Sequence, residues 1–496
     1  MGIENIGKFD FISVVSDFIS NADNFIWGYY LVVLLLLAGI YYSFKLGFPQ
    51  VVLTKDAFHV ITERDANAKG NKDHISPYQA LMISMGTRVG MGTIVGMAVA
   101  VVLGGPGAIF WIWVAAFLNG SIAIAENTLG QIYKSKDGGA FKGGPAYYLT
   151  KGLHAKKTAI LYSVVTILIG WAFIGLYSYI IYSSFEAYPI AQTTNNLSIY
   201  IGICLAIFSG IMFFGGGRYI AKFTSYVTPF MAGLFLIIAC ISIGMHYTKT
   251  LYVIKEVFSS AFDFKTIFGG FAGSVVVIGI KRGLFANEAG LGSVPGASSS
   301  AHTSHPVKQG IVQAFCVFID TVIATLTVFF ILFSDVYTQG VTNASGERLT
   351  DMPLVQAAMK ESFGIWGDYY ITFLIVVLTA TVIIGAYYVG QMNVKYLKDN
   401  PIVLFLYRVI TIVIVYVGAQ ASSTLAWGTA NVVMGIGATI NIIAIFLLAN
   451  VVKIALKDYV SQRKKGIEPT FNAKKLGIKN AECWDSDDGD RNKIIR

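Results

Sequence analysis

Apolar runs alternate with short polar joints along most of the chain, and each run is long enough to cross a bilayer as a helix of roughly 20 residues. Runs beginning near Phe25, Tyr78, Ala108, Ala159, Ile199, Val227, Phe268, Gly310, Tyr369, Val403 and Leu425 predict about eleven membrane spans. The pattern therefore reads as an all-α integral membrane protein. Two of the runs carry interruptions of the same kind: Gly86-Thr87-Arg88-Val89-Gly90-Met91-Gly92 breaks the second, and Gly279-Ile280-Lys281-Arg282-Gly283 breaks the seventh. Because the interrupted runs lie five apart, the second to sixth and seventh to eleventh spans can form two halves of opposite orientation, with the first span an extra.

Composition supports this reading. The 496 residues are 55% hydrophobic and only 13% charged, about half the charge a soluble domain carries. The net charge of +9 is concentrated in alternate loops, which reports orientation in a membrane and not a nucleic-acid surface. Lys45, Lys55, Arg64, Lys69 and Lys72 follow the first span, and Lys134, Lys136, Lys142, Lys151, Lys156 and Lys157 follow the third. Both loops are expected in the cytoplasm, the N-terminus outside and the C-terminus inside. The expected organisation is an extracellular N-terminus (1–24), the extra helix with its loop (25–75), a first five-helix repeat (76–245), a second inverted repeat with its preceding loop (246–454) and a cytoplasmic tail (455–496), surface-bound or disordered. The absence of a cleavable leader and the short loops fit a cell membrane, with lipid around the helices.

A helix broken within a membrane leaves backbone groups unpaired, which is tolerated only where protein, water or a ligand satisfies them. Amides at a half-helix N-terminus attract a carboxylate, and carbonyls at a half-helix C-terminus attract a cation. That pairing suits a zwitterionic amino acid together with Na⁺. Glycines also serve close helix packing, but packing does not explain Arg88, Lys281 and Arg282, which are expected to face water or the cytoplasmic mouth. Glu126 and Glu288 are expected near cytoplasmic helix ends, as caps or in contact with basic loops, with an inner-gate role the alternative, and Asp320 and Arg408 in structural polar contacts or in coupling. The four cysteines and six histidines form no metal-ligand spacing. A nucleophile elbow and a P-loop lysine are lacking, which excludes an ATP-driven pump and a hydrolase from the first rank.

Gly104 to Trp113 (Gly-Gly-Pro-Gly-Ala-Ile-Phe-Trp-Ile-Trp) and Lys281 to Ser293 (Lys-Arg-Gly-Leu-Phe-Ala-Asn-Glu-Ala-Gly-Leu-Gly-Ser) resemble the alanine/glycine:cation symporter family, with further matches at Glu126, Asp320-Thr321 and Tyr407-Arg408. The resemblance runs from Trp27 to about Val452. It implies the leucine-transporter fold, with 5+5 inverted repeats, and sodium-driven amino-acid uptake; a monomer is the expected working unit. Residues 86–93 resemble the leucine-transporter pattern G-x-x-V-G-x-G-N. The likeness implies that the Gly86 and Val89 carbonyls bind sodium and that Gly90, Met91 and Gly92 hold the substrate carboxylate, with Thr93 in place of the asparagine. Thr379-Ala380-Thr381-Val382 resembles the stretch whose hydroxyl pair completes the sodium site; Thr381 matches, Val382 does not, and Thr379 stands as a substitute ligand. Ser178 and Ile181 occupy the substrate-facing stretch of the fourth span, where the family has Asn and Gln. Ile278, where a relative carries tryptophan, and Gly279 are assigned to the pocket beside them.

The expected function is sodium-coupled import of a small neutral amino acid of the alanine or glycine class by alternating access. A proton-coupled or exchange carrier, for a larger neutral amino acid such as glutamine, is the alternative, with Val382 its best argument. A channel or receptor, and more remotely a membrane enzyme, complete the set.

Overall fold

The computed structural model describes residues 11–62, 75–88, 91–137, 140–194, 196–262, 274–342, 346 and 348–484. Nine helices among them are long and apolar enough to cross a membrane, or ten with the bent pair Pro77–Arg88 and Gly92–Gly104 taken as one span. They correspond to ten of the expected runs: Val14–Leu46, the bent pair, Ala108–Ile132, Lys156–Ser183, Leu197–Gly216, Lys222–Met245, Pro306–Phe333, Ile365–Leu397, Pro401–Gly418 and Ser423–Leu447. The seventh run consists of two shorter helices, Val275–Asn287 and Val294–Ser299. Ordinal span names below follow the predicted order.

Burial separates the spans into layers. In their most apolar windows the third and ninth spans are 67% buried and the eighth 61%, against 28%, 33% and 22% for the fifth, sixth and tenth. The former pack on other helices, while the latter leave wide apolar faces such as Ile207, Ile211, Phe230, Ile237, Phe405 and Val413 uncovered, as a hydrocarbon surround allows. Small residues set the closest approaches. A Cβ on Gly310 would lie 2.8 Å from the Ile124 carbonyl oxygen, and one on Gly279 would lie 2.7 Å from that of Ala108. The eighth and seventh spans therefore reach the third only through glycine.

Proline and capping side chains start several helices. Pro306 follows His305, whose ring nitrogen accepts from the Val307 amide, and Pro401 follows Asn400, whose side chain accepts from the amides of Ile402 and Val403.

Three expectations change. The first span does not begin after a 24-residue extension: helix extends from Phe11 through a π turn at Ile26–Tyr30 to Leu46. The seventh is continuous through Gly279 and Gly283 and opens later. The described part of the tail, through Trp484, is neither disordered nor merely surface-bound. After the helix Ala449–Lys464 it folds back, and Phe471, Ala473, Ile478, Ala481 and Trp484 are buried. Trp484 Nε1 donates to the Gln131 carbonyl at 2.8 Å, and the Lys134 ammonium sits between the Phe141 and Trp484 rings, 3.9 and 4.9 Å from their centroids.

Candidate functional site

The first break follows from glycine content. Pro77–Arg88 ends beside Gly86-Thr87-Arg88, and the chain resumes as a π turn and helix at an angle of 51°. Val89 and Gly90 lie outside the described residues, as does the side chain of Met91. The ninth span abuts this end, because Gly385 leaves no room for a Cβ against Thr87. One turn before Gly385, Thr381 Oγ1 lies 2.6 Å from the Leu378 carbonyl oxygen and 3.4 Å from that of Gly86. A single hydroxyl proton cannot serve both carbonyls fully, whereas a cation can take lone pairs from all three oxygens. Thr379 is also buried and its hydroxyl is without a partner among the described residues. Two positions from Thr381 on one helix, it points to another side.

The second break lies at Glu288–Ser293, not at Gly279–Gly283. Val275–Asn287 ends where Glu288 (φ 50°), Gly290 (φ 85°) and Gly292 (φ 81°) turn left-handed. Side chains of three other spans take up the released backbone groups. Gly292 N–H donates to Glu126 Oε2 at 3.2 Å, Asn441 Nδ2 donates to the Gly290 carbonyl and to Glu126 Oε2, both at 2.9 Å, and Tyr162 donates to the Leu291 carbonyl at 3.0 Å. Ser293 donates to Glu288 at 2.8 Å. Glu126 is fully buried within the bundle, and Glu288, the C-cap residue of Val275–Asn287, forms part of the break.

Asp320 on the eighth span joins the two breaks. One carboxylate oxygen accepts from the Thr93 hydroxyl, just past the first break, and the other accepts from Asn287 Nδ2 at 2.9 Å, just before the second. Asn119 Nδ2 extends the chain to Asn287 Oδ1 at 3.2 Å. Gly92 lies against Phe285 and Ala286, where an added Cβ would come within 3.3 Å of both. Phe285 in turn meets Phe173 and Trp427, with ring centroids 5.5 and 5.4 Å apart. Arg88 is 1% exposed; its Nη1 reaches the Gln313 carbonyl and side-chain oxygens at 3.4 and 3.3 Å, while Nε and Nη2 are without partners among the described residues. Arg88 therefore points into the protein, not toward the cytoplasmic mouth.

The remaining expected residues are placed as follows. Ser178 donates to the Ile174 carbonyl of its own helix at 2.8 Å, and Ile181 is buried on the same span. Ile278 packs on Gly104 and Gly279 on Trp111 and Ala108, two helical turns before the second break, so the structure does not bring them to Gly92. Lys281 pairs with Asp23 at 3.0 Å and Arg282 lies over the Trp427 ring at 4.6 Å. Arg408 Nε donates to the Tyr387 hydroxyl at 3.2 Å, a structural contact. Sequence reasoning missed Leu378, Asn287 and Asn441. The first contributes only a backbone oxygen and has no side-chain signal, but two asparagines inside apolar runs were legible as polar residues needing partners.

The sequence model of the sodium:alanine symporter family matches residues 12–473. The chain is 40% identical over 475 residues to the probable sodium/glutamine symporter GlnT of Bacillus subtilis, covering 95% of this chain and 96% of that one. It is 33% identical over 459 residues to the sodium/alanine symporter AgcS of Methanococcus maripaludis, covering 92% and 98%. Among solved structures it resembles MhsT in complex with L-phenylalanine, with a TM-score of 0.56 at 14% identity over 74% of this chain and 88% of that one, a likeness of fold. With its broken second and seventh spans, this fold is that of the leucine transporter, and the chain, a membrane transporter and not an enzyme, belongs to the sodium:alanine symporter family.

Proposed function

We propose that this protein imports a small neutral amino acid of the alanine or glycine class together with Na⁺, by alternating access around the two breaks. The observation that carries the reading is the convergence of the Thr381 hydroxyl with the Leu378 and Gly86 carbonyl oxygens. Those oxygens form the sodium site, to which the family resemblance adds the carbonyl of Val89, outside the described residues; oxygen donors without formal charge suit a hard monovalent cation. Gly90, Met91, Gly92 and Thr93 present the backbone to the substrate carboxylate, with Ser178 and Ile181 contributing from the fourth span. Phe285, Phe173 and Trp427 close over the substrate side chain and exclude water. The protein works as a monomer in the cell membrane, with the N-terminus outside, and one helix bundle rocks around the site made by the second and seventh spans.

A second reading, proton coupling or exchange with a larger substrate such as glutamine, has its own support. Glu126, Glu288 and Asp320 are buried near one guanidinium, that of Arg88, so a proton can offset charge there in place of a second cation. The relative GlnT favours the larger substrate.

Uptake of labelled alanine, glycine and glutamine into proteoliposomes, under an inward Na⁺ gradient or with K⁺ in its place, separates the two. Sodium coupling predicts uptake that collapses in K⁺. Equal uptake in both, driven instead by a pH gradient, supports the proton reading.

A further inference from the structure

The family-like hydroxyl pair on the ninth span is incomplete here, since Val382 follows Thr381. The sixth span offers an oxygen in its place. Thr228 is fully buried, yet its hydroxyl is without a hydrogen-bond partner among the described residues. Four other buried threonines within spans, Thr166, Thr224, Thr327 and Thr411, donate to the carbonyl four residues back, at 2.6–3.0 Å, whereas Thr128 and Thr379, like Thr228, have hydroxyls without a partner among the described residues. Thr228 forgoes that bond, which leaves a buried polar group unsatisfied in a setting where satisfaction by its own helix is available.

Its hydroxyl is aimed at the first break. The point where Gly86 would carry a Cβ lies 3.3 Å from Thr228 Oγ1 and 3.8 Å from Thr381 Oγ1. Two hydroxyl oxygens from different spans thus border the one space that glycine leaves open, next to the Gly86 and Leu378 carbonyls. The local backbone fixes this placement. Pro229 cannot donate to the Ser225 carbonyl, and the Tyr78 hydroxyl of the second span lies 3.4 Å from that oxygen, which ties the sixth span to the second at this level.

We propose that Thr228 is a sodium ligand of this protein, its hydroxyl on the sixth span replacing the second hydroxyl that Val382 removes from the ninth. The proposal rests on the sodium-coupled reading above. Thr228 would bind the ion through an oxygen lone pair, and its free proton would turn to a carbonyl oxygen on the rim of the same space. Such a site draws its ligands from the second, sixth and ninth spans, so sodium occupancy would hold three helices together.

The test measures sodium binding directly, as the Na⁺ concentration giving half-maximal thermal stabilisation of the purified protein without substrate, alongside the Na⁺ dependence of alanine uptake. Thr228→Val, which keeps shape and removes the oxygen, is expected to raise both midpoints about tenfold or more. Thr228→Ser should keep them near wild type, and adding Val382→Ser to Thr228→Val should restore them. A Thr228→Val protein that is folded and retains the wild-type sodium midpoint would overturn the proposal while leaving the sodium reading intact. Wild-type protein that neither binds nor needs Na⁺ would overturn both. If Thr228→Val does not fold, Thr228→Ser and Val382→Ser alone decide: a lower midpoint in Val382→Ser with an unchanged one in Thr228→Ser supports the proposal, and no response to Val382→Ser overturns it.

Discussion

The two broken spans solve the same problem with different chemistry. At the first break neutral oxygens converge: the Gly86 carbonyl at the helix end meets the Leu378 carbonyl and the Thr381 hydroxyl of the ninth span, and one hydroxyl proton cannot serve both carbonyls fully. At the second, the Gly292 amide and the Gly290 and Leu291 carbonyls meet committed protein partners, Glu126, Asn441 and Tyr162. A cluster of neutral oxygens at the first break is suited to receive an ion, whereas the second break, held by a buried carboxylate, has a fixed shape. Asp320, bonded to Thr93 on one side and Asn287 on the other, gives the two breaks a shared support.

The contrast can be broken most severely at Gly292. Its φ of 81° and the closeness of Tyr162 and Pro145 leave no room for a side chain, so Gly292→Ala should abolish folded protein, scored by gel-filtration yield. Gly290, at φ 85° but with neighbours no nearer than 3.4 Å, should tolerate alanine at about 1–2 kcal/mol. Next in size, Glu126→Leu leaves the Gly292 and Asn441 donors unpaired, at about 1–3 kcal/mol each. Alanine uptake per folded molecule should fall about a hundredfold, while the sodium midpoint for thermal stabilisation stays near wild type. Thr381→Val should do the reverse, raising the sodium midpoint about tenfold with little change in substrate affinity at saturating Na⁺. A Glu126→Leu protein that loses sodium binding as fully as Thr381→Val would erase the distinction between the breaks.

A further effect lies outside the spans. Burial raises the Asp351 carboxyl from 3.8 to about 6, although the Arg282 guanidinium acts to lower it. The folded state then holds its proton more tightly than the unfolded state, so stability falls as pH rises from 3.8 to about 6. Asp351→Asn should remove that slope, on the order of 3 kcal/mol at most, in thermal melts across this range.

The two breaks were also unequally legible in the sequence. Gly86, Gly90 and Gly92 stand in the interruption itself, so the first was read where it occurs, although Leu378 contributes an oxygen that no side chain advertises. The second was placed one to two turns early. Gly279 and Gly283 looked like breakers, yet they let the seventh span pack on Ala108, Trp111 and Ala115 of the third, the ordinary use of glycine in membranes. The true break starts at Glu288, a residue whose left-handed backbone is set by its surroundings and not by its type. The same limit hid the tail: buried Phe471 and Trp484 are spaced too sparsely among polar residues to signal packing. The apolar runs, by contrast, dictated the spans, because a helix in lipid has few alternatives.

Sodium coupling is tested most directly by asking whether substrate moves the ion. Purified protein in liposomes, with equal Na⁺ on both sides and labelled sodium outside, is given an inward alanine gradient. Labelled sodium entry that accelerates with alanine, and loses that acceleration in Thr381→Val at the same Na⁺ concentration, is the predicted result. Alanine entry without any change in sodium flux, accompanied by acidification of the lumen, would contradict it.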